Sequence, residues 1–472
     1  MTRMHHLFLG GGWRPGSAGE FRPVINPATE GEVARVACAT FSDLAQALDT
    51  AQQSAATWRN VSPEERGKLL RLAAGLLQSR IATESLVLSE EQGKTITEAR
   101  EEFTRAAETL IWNGEQAGAF CAPVQASNYR WITPEPAGVV AAFTPWNYPA
   151  VITARKLAPA LAAGCTVILK AAEETPGAAT AIVRSLHEVG IPAGVISLVF
   201  GDPPAISSQL LASPVVRVVS FTGSTQVGKE LSRAASAQLQ RCVLELGGHA
   251  PVIVLDDADP DGAAQAIAAY KFKGAGQSCN SPSRLFVQEK IYETFVERLT
   301  AIAKAIRVGV GNDPRTQMGP LANRRRLAAM ERLTADAVRR GATITVGGSR
   351  LEREGYFWPP TVLRDVPVDA AVMHEEPFGP IVPIAPFRKR EEAVKLANAN
   401  RYGLAAYVFS RSQATAREIA THLMVGSVGI NHLKGVAPDV PVGGVNDSGY
   451  GYEGGIEGFR SFQALKLINS GP

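Results

Sequence analysis

The stretch that decides the fold is GVVAAFTPWNYPAVITARKLAPALAAGCTVILK, residues 138–170. It begins with a short apolar run, Val139–Phe143, passes through an apolar helical segment, Ile152–Ala163, and ends in a second apolar run, Thr166–Leu169. Short apolar runs rich in β-branched residues are typical of buried parallel strands, and the segment between them is long enough for a crossover helix. The stretch therefore predicts a β-α-β unit.

The same alternation continues towards the C-terminus. Buried strands are predicted at Val195–Phe200 and Val215–Ser220, with crossover helices at Gly177–Val189 and Ala205–Leu211. After Gly248 a second series comprises the predicted strands Val252–Leu255, Arg284–Val287 and Ala406–Phe409, and the predicted helices Asp259–Gly274, Ile291–Ile306, Ala393–Asn400 and Gln413–His422. Together the two series predict an α/β fold, with a doubly wound, Rossmann-like sheet followed by a second α/β domain.

The length and the turn residues suggest how the chain is divided. A chain of 472 residues is too long for one ordinary core, and Gly247-Gly248 separates the two series. Two strand-like segments, Tyr129–Thr133 and Phe462–Ile468, belong to neither series. We interpret both as edge strands that pair with another subunit, which predicts a homodimer or homotetramer. The expected units are a first α/β domain (1–119 and 138–246), a second (247–440) and a small β oligomerisation element (120–137 and 441–472).

The composition excludes several classes of protein. An apolar fraction of 45% with 20% charged residues is typical of a globular chain, and a net charge of +3 without a long basic run argues against nucleic-acid binding. Five scattered cysteines without a CxxC pattern argue against disulfides, and we expect no metal site. The apolar stretch Leu157–Leu169 is too short to span a bilayer, and the N-terminus lacks the apolar core of a signal peptide. We therefore expect no membrane association and a cytoplasmic location.

Two nucleotide-binding patterns are misleading. Gly223–Lys229 spells GxxxxGK, but Glu230 follows where a P-loop needs Ser or Thr to hold magnesium. Gly449–Gly454 spells GxGxxG, but such a site needs a strand before it and a helix after it. Pro441 and the dense glycines around this segment predict a loop instead.

One thiol and one carboxylate stand in glycine-containing segments. Cys279 ends the run Gly-Gln-Ser-Cys, and Glu245 lies in Leu-Glu-Leu-Gly-Gly. A lone cysteine is most often a small buried apolar residue, and a catalytic one needs a partner. A glutamate beside two glycines can approach the thiol closely enough to act as its base or to activate a water.

Three loops follow predicted strands and carry polar residues. Asn147, in Thr-Pro-Trp-Asn-Tyr-Pro, offers an amide donor for an oxyanion or forms an Asx turn. Lys170 and Glu173 either bind ribose hydroxyls or form a solvated charge pair. Gly223 and Ser224 begin a helix whose N-terminus attracts a pyrophosphate, and the alternative is an ordinary helix cap.

Taken together, these motifs resemble the NAD(P)-dependent aldehyde dehydrogenase superfamily. The resemblance rests on their order along the chain: Thr-Pro-Trp-Asn-Tyr-Pro, Lys-Ala-Ala-Glu-Glu-Thr-Pro, Phe-Thr-Gly-Ser-Thr, Leu-Glu-Leu-Gly-Gly, Gly-Gln-Ser-Cys and Glu-Glu-Pro-Phe-Gly-Pro. It extends from Ile25-Asn-Pro-Ala-Thr to Pro441-Val-Gly-Gly-Val. The resemblance implies that the first α/β domain binds the cofactor and that the second is catalytic.

The resemblance also implies individual roles. Cys279 would be the nucleophile, Glu245 the general base and Asn147, with the Cys279 amide, the oxyanion site. NAD is the expected cofactor, with NADP possible, because the negative charge of Glu173 would repel a 2′-phosphate. The residues expected to contact the cofactor are Trp146, Lys170, Glu173, Gly223, Ser224, Glu376 and Phe378. The departures are Ala171 for the usual proline, the proline-rich 202–204 loop and Ser281 in place of a second thiol.

Within the superfamily the chain looks most like the succinate-semialdehyde branch. Arg155 stands where that branch binds the substrate carboxylate, and Lys273 replaces a second arginine. Val436 and Ala437 stand where a substrate-binding serine is expected. The expected substrate is a small-molecule semialdehyde such as succinate semialdehyde, although a helix-surface salt bridge remains an alternative role for Arg155.

The sequence leaves three alternative functions open. They are a dehydrogenase of neutral aliphatic or aromatic aldehydes, a CoA-acylating dehydrogenase and a non-catalytic structural member. The presence of Glu245 favours hydrolysis over acylation of CoA, because transfer to CoA needs no water-activating base. A non-catalytic member would be expected to lack Cys279 or Glu245, and both are present.

Overall fold

A computed structural model describes residues 2–433 and 435–471 of the chain. Its strands are β1 Arg3–His5, β2 Leu7–Leu9, β3 Gly12–Arg14, β4 Phe21–Ile25, β5 Glu32–Ala37, β6 Val124–Ser127, β7 Arg130–Pro136, β8 Val139–Phe143, β9 Thr166–Lys170, β10 Ile196–Val199, β11 Val216–Thr222, β12 Arg241–Glu245, β13 Ala250–Val254, β14 Pro282–Gln288, β15 Thr343–Val346, β16 Thr361–Arg364, β17 Ile381–Phe387, β18 Tyr402–Gly403, β19 Ala405–Phe409, β20 Ser427–Ile430, β21 Val445–Asn446, β22 Gly449–Tyr450 and β23 Gln463–Asn469.

The helices alternate with these strands. They are α1 Phe41–Trp58, α2 Pro63–Ser79, α3 Ile81–Gln92, α4 Ile96–Cys121, α5 Pro149–Ala163, α6 Pro176–Glu188, α7 Pro203–Ala212, α8 Thr225–Ser236, α9 Pro260–Lys271, α10 Glu289–Ala305, α11 Arg324–Arg339, α12 Arg390–Asn398, α13 Gln413–Thr421 and α14 Gly455–Arg460, with short 3-10 turns at Lys273–Gly276 and Ala371–Met373. Within the described ranges, no helix is both long and apolar enough to cross a membrane.

The first sheet has the strand order β22-β12-β11-β8-β9-β10-β2-β3, and its five central strands run parallel. The chain passes outwards from β8 through β9 to β10, then crosses back to β11 on the other side of β8. Such a reversal leaves a crevice at the carboxyl ends of β8 and β11, where ligands bind in open α/β sheets. The predicted doubly wound α/β fold is therefore confirmed.

The second sheet has the order β15-β16-β17-β14-β13-β19-β20, and only β15 pairs antiparallel. Its apolar core draws on residues between Ala250 and Leu433, whereas the first core draws on residues between Leu7 and Leu246 together with Phe459 and Phe462. The change from one core to the other falls at the glycines that follow Glu245. The exact domain boundaries given above stay a prediction.

The strands of the small β element pair differently from the expectation. β7 lies in the middle of a three-stranded antiparallel sheet of order β23-β7-β6, so Tyr129–Thr133 is not an edge strand. The two segments expected to pair with another subunit pair with each other, because their antiparallel register satisfies both backbones within one chain. β23 remains an edge and exposes Leu465 and Leu467. Oligomerisation therefore stays a prediction that rests on this outer edge.

Two further expectations need correction. The glycine-rich segment around Gly449–Gly454, expected as a loop, contains β22, and β22 extends the first sheet by pairing antiparallel with β12. The helix expected at Asp259–Gly274 ends at Lys271, because Gly274, Ala275 and Gly276 all have positive φ and leave the right-handed region. Four helices and five strands precede residue 122, where the sequence analysis had assigned no elements.

Candidate active site

The predicted nucleophile and base lie on neighbouring loops between the two cores. Glu245 is the last residue of β12, and Cys279 follows the turn that ends at Gly276. A Cβ atom on Gly248 would lie 2.2 Å from the carbonyl oxygen of Cys279, and one on Gly276 would lie 2.3 Å from that of Gly379. Only glycine allows these approaches, so Gly248 brings the Glu245 loop against the thiol loop, and Gly276 brings the thiol loop against the segment of Gly379.

The thiol and the carboxylate both hold their protons more strongly than usual. Burial raises the pKa of the Cys279 thiol, Glu245 and Glu376 raise it further, and Arg155 opposes the rise. Burial, together with the negative charge of Glu453 nearby, raises the pKa of Glu245 to about 8, and Arg155 and Lys156 oppose the rise. A protonated thiol is a poor nucleophile, so attack at neutral pH requires a base.

Glu245 is a buried carboxylate near the thiol, and its role as the base stays a prediction. Its side chain is buried, and in the part of the chain that the structure describes its Oε1 atom has no hydrogen-bond partner. An unpartnered buried carboxylate oxygen is costly unless it receives a proton from a reacting group or a water. The arrangement therefore leaves a buried carboxylate oxygen unpartnered in the neighbourhood of the thiol.

Asn147 is held in place from two sides. Its Nδ2 atom donates to the carbonyl oxygen of Gln277 at 3.0 Å, and its own carbonyl oxygen accepts from Lys94 Nζ at 2.9 Å. The amide therefore lies against the loop that carries Cys279, where an oxyanion donor is needed. The structure thus brings the loops of Cys279, Glu245 and Asn147 close together, and the roles expected of the three residues stay a prediction.

Lys94 and Glu102 form a buried ion pair that the sequence analysis missed. Their side chains are 2% and 1% exposed, and Glu102 Oε1 also accepts from the amide of Ala150 at 2.7 Å. The Lys94 ammonium lies 4.3 Å from the ring centroid of Tyr148. The pair therefore ties α4 to the start of α5 and fixes the loop that presents Asn147.

A second buried pair, also missed, lies beside Glu245. Lys156 Nζ donates to Glu453 Oε1 at 2.7 Å and to Ser220 Oγ at 3.0 Å, and Lys156 is fully buried. A lysine within the apolar run of α5 was the available signal, because a buried ammonium requires a partner. That partner lies 297 residues away, so no local pattern indicates it.

The expected cofactor residues line the crevice at the carboxyl ends of the parallel strands. Lys170 ends β9 and donates to Glu173 at 2.8 Å, and the other oxygen of Glu173 accepts from the Gly201 amide at 2.9 Å. Ser224 caps α8 through the amide of Val227 at 3.4 Å, with Gly223 directly before it. An ammonium and a carboxylate beside a helix N-terminus fit the ribose and pyrophosphate of a dinucleotide.

The opposite wall of the crevice comes from the second domain. The rings of Trp146 and Phe378 meet edge to face with centroids 5.5 Å apart. Glu376 Oε1 accepts from the Gly248 amide at 3.1 Å, and burial raises the pKa of Glu376 to about 7 while Arg326 and Lys271 oppose the rise. The loop of Glu376 and Phe378 therefore lies against the glycines that follow Glu245, and Phe378 also meets Trp146 of the Asn147 loop.

The two predicted substrate cations differ in their surroundings. Arg155 is half-buried on α5, and its charge opposes the rise in the pKa of both Cys279 and Glu245. In the described residues no hydrogen bond or ion pair involves its guanidinium, whereas Lys273 forms an ion pair with Glu101 of α4. Arg155 is thus a free cation facing the reacting groups, and Lys273 is a compensated one.

Comparisons with known proteins agree with this geometry. The sequence profile described as the aldehyde dehydrogenase family matches residues 13–468. The chain belongs to this family. It is 44% identical over 475 residues to a 4-(hydroxymethyl)benzenesulfonate dehydrogenase from Comamonas testosteroni, covering 99% of this chain and 98% of that protein.

Two other relatives share almost the whole chain. A 3-sulfolactaldehyde dehydrogenase from Pseudomonas putida is 38% identical, with 98% of this chain and 96% of that protein covered. The crystal structure of a succinate-semialdehyde dehydrogenase from Burkholderia pseudomallei superposes with a TM-score of 0.96 at 38% identity, covering 98% of this chain and 97% of that one. The protein is thus an NAD(P)-dependent oxidoreductase that acts on an aldehyde, as predicted.

Proposed function

We propose that this aldehyde dehydrogenase oxidises an aldehyde with a terminal anionic group to the corresponding acid, through a thiohemiacetal and a thioester on Cys279. The observation that carries the proposal is the guanidinium of Arg155, which has no ion-pair partner in the described residues and whose charge opposes the rise in the pKa of both the thiol and Glu245. A partly buried cation without a counter-ion is costly, and an anionic substrate group would satisfy it. The anion would be a carboxylate, as in a semialdehyde, or a sulfonate.

Covalent attack begins with removal of the thiol proton. Glu245, with its unpartnered Oε1 atom, accepts the proton of Cys279 directly or through a water, and the thiolate adds to the aldehyde carbon. The amide of Asn147 and the backbone amide of Cys279 donate to the oxygen as it becomes negative. Asn147 can do so without rearrangement of its backbone, because Lys94 already holds its carbonyl oxygen.

Oxidation and hydrolysis complete the reaction. When bound, an oxidised nicotinamide would accept the hydride that leaves the thiohemiacetal carbon as the thioester forms, and Glu376 and Phe378 would orient its ring. Once Glu245 has released the thiol proton to solvent, it takes a proton from a water that attacks the Cys279 thioester. The acid leaves, and the Cys279 thiolate takes up that proton and becomes a thiol again. The raised pKa of Glu245 makes it a stronger base than an ordinary carboxylate.

The identity of the anion is supported from two directions. The succinate-semialdehyde dehydrogenase named above acts on a substrate with a carboxylate, and two relatives are named for substrates with a sulfonate. Both groups carry one negative charge and several acceptor oxygens, which suit a planar guanidinium. Val436 and Ala437 offer no side-chain hydroxyl to a carboxylate, and this favours a substrate bound mainly through charge.

Two matched pairs of aldehydes test the proposal. Succinate semialdehyde and butanal share four carbons and differ in the carboxylate, and 4-formylbenzenesulfonate and benzaldehyde differ in the sulfonate. The anionic member of at least one pair should have the higher kcat/KM. Arg155→Leu should then raise its KM about ten- to a hundredfold and leave the neutral partner unchanged. Equal kcat/KM within both pairs, unchanged in the variant, would refute the anionic substrate and favour a neutral aldehyde.

A further inference from the structure

Two carboxylates of α4 hold the turn that leads to Cys279. Glu101 forms an ion pair with the Lys273 ammonium, and Glu98 Oε1 accepts from the Gly274 amide at 2.7 Å. Glu98 and Glu101 are three residues apart and so lie on one face of the helix. The Lys273 side chain is 25% exposed and that of Glu101 is 48% exposed, so the pair lies at the surface and not in the core.

This turn borders the reacting centre. A Cβ atom on Gly274 would lie 3.6 Å from the Tyr148 hydroxyl, and Tyr148 directly follows Asn147. Tyr270 lies just before the turn, and its ring centroid is 6.2 Å from that of Tyr407, whose hydroxyl donates to the carbonyl of Asn280. Lys273 therefore begins a turn that lies between the Asn147 loop, the Cys279 loop and α4.

We propose that Glu101 is a specificity-determining residue, which neutralises Lys273 and so withholds this cation from the anionic group of the substrate. The inference rests on the function proposed above, because it concerns the same substrate anion. Free Lys273 would add a second positive charge to that of Arg155 at the opening. With Glu101 in place, the anionic group of the substrate meets a compensated cation instead, so its attraction to the site depends mainly on Arg155.

The test is a gain of function. Glu101→Gln keeps the size of the side chain, removes its charge and frees Lys273. We expect kcat/KM for succinate semialdehyde to rise about two- to fivefold through KM, since an exposed charge contributes modestly. The kcat/KM for butanal should not change. The gain should shrink as salt is added, because salt screens exposed charges.

Two further variants separate this account from a general effect of charge or of loop movement. Glu108→Gln removes the same charge two turns further along the exposed face of α4, where no ion pair is formed in the described residues, and it should leave both substrates unchanged. Lys273→Met should have little effect alone and should abolish the gain when combined with Glu101→Gln. Equal gains in Glu101→Gln and Glu108→Gln, or a gain that survives Lys273→Met, would overturn the proposal.

Damage to the structure of the turn would affect the two substrates differently from the release of Lys273. If the ion pair only holds the turn, Glu101→Gln should lower kcat for both succinate semialdehyde and butanal, and this result would also overturn the proposal. Failure of the proposed function is detected separately, in the wild-type protein, as the absence of any preference for the anionic aldehyde. In that case a preference that first appears in Glu101→Gln would still support the masking of Lys273 by Glu101.

Discussion

The cofactor crevice and the catalytic loops differ in how well their charged groups are satisfied. In the crevice, both oxygens of Glu173 accept hydrogen bonds, from Lys170 and from the Gly201 amide. At the catalytic loops, Glu245 has an unpartnered oxygen, Arg155 lacks an ion-pair partner in the described residues and the Cys279 pKa is raised. Satisfied groups define the shape of a binding site, whereas unsatisfied groups retain the capacity to react.

The largest expected effect comes from removing the nucleophile. Cys279→Ala should lower kcat by about 10⁴-fold or more, since no covalent intermediate can form. The crevice does not depend on the thiol, so calorimetry should give an unchanged Kd for NAD. Replacement of Cys38, which is buried away from the catalytic loops, is the matched control and should retain activity. Substantial turnover by Cys279→Ala would contradict the assignment.

A smaller effect is expected from replacing Lys94, whose ammonium donates to the carbonyl oxygen of Asn147. Lys94→Met removes the donor to the Asn147 carbonyl and leaves Glu102 as an unpaired buried charge, which should cost roughly 3–5 kcal/mol of unfolding free energy. The displaced amide should lower kcat about ten- to a hundredfold with little change in the Kd for NAD.

The double variant Lys94→Met with Glu102→Gln separates stability from catalysis. It removes the unpaired charge, so much of the loss in Tm should be recovered, but it does not restore the donor to Asn147. The kcat should therefore remain low. Recovery of kcat together with Tm would show that the ion pair serves stability alone.

The dependence of activity on pH should reflect the ionisation of Glu245. Burial raises the pKa of Glu245 to about 8, and only the ionised form can accept a proton. Activity should therefore increase with pH through the neutral range and level off above that pKa. Glu245→Gln should remove this dependence from its residual activity. A rise in activity centred near pH 4.5 would show that Glu245 is solvated in the working enzyme.

The smallest expected effect concerns the choice of cofactor. Glu173 is held by two hydrogen bonds, so its charge is fixed where a 2′-phosphate of NADP would approach. NAD should have the higher kcat/KM, and Glu173→Gln should reduce the preference about three- to tenfold. A wild-type enzyme that prefers NADP would show that Lys170 outweighs Glu173.

The part of the fold that follows local patterns was predictable from the sequence. The apolar runs at 139–143 and 166–169 became β8 and β9, because buried parallel strands must be apolar on both faces. The helices α1 and α4 also carry local signals, the capping boxes at Thr40 and Thr95, which the sequence analysis did not use. Strand pairing was less predictable: β7 and β23 were expected as strands, but their mutual register depends on residues more than 300 positions apart.

The candidate site was also predictable from the sequence only in part. Cys279, Glu245 and Asn147 stand in recognisable motifs, and the structure brings their loops together. The surrounding ion pairs could not be predicted in this way. Glu453 pairs with Lys156 from a glycine-rich segment that was expected to be a loop. Glu101 pairs with Lys273 from a helix that was not assigned from the sequence. Such contacts depend on tertiary packing, which no local spacing encodes.

The central claim is that the unsatisfied Glu245 carboxylate drives hydrolysis of a thioester on Cys279. The most direct measurement is stopped-flow NADH absorbance with the Glu245→Gln variant and saturating aldehyde. The account predicts a burst that approaches one NADH per active site but forms more slowly than the first turnover of the wild type, because the thiol has also lost its base. A steady state at least about tenfold slower than that of the wild type should follow. A variant that shows no burst and an unchanged steady state would contradict the claim.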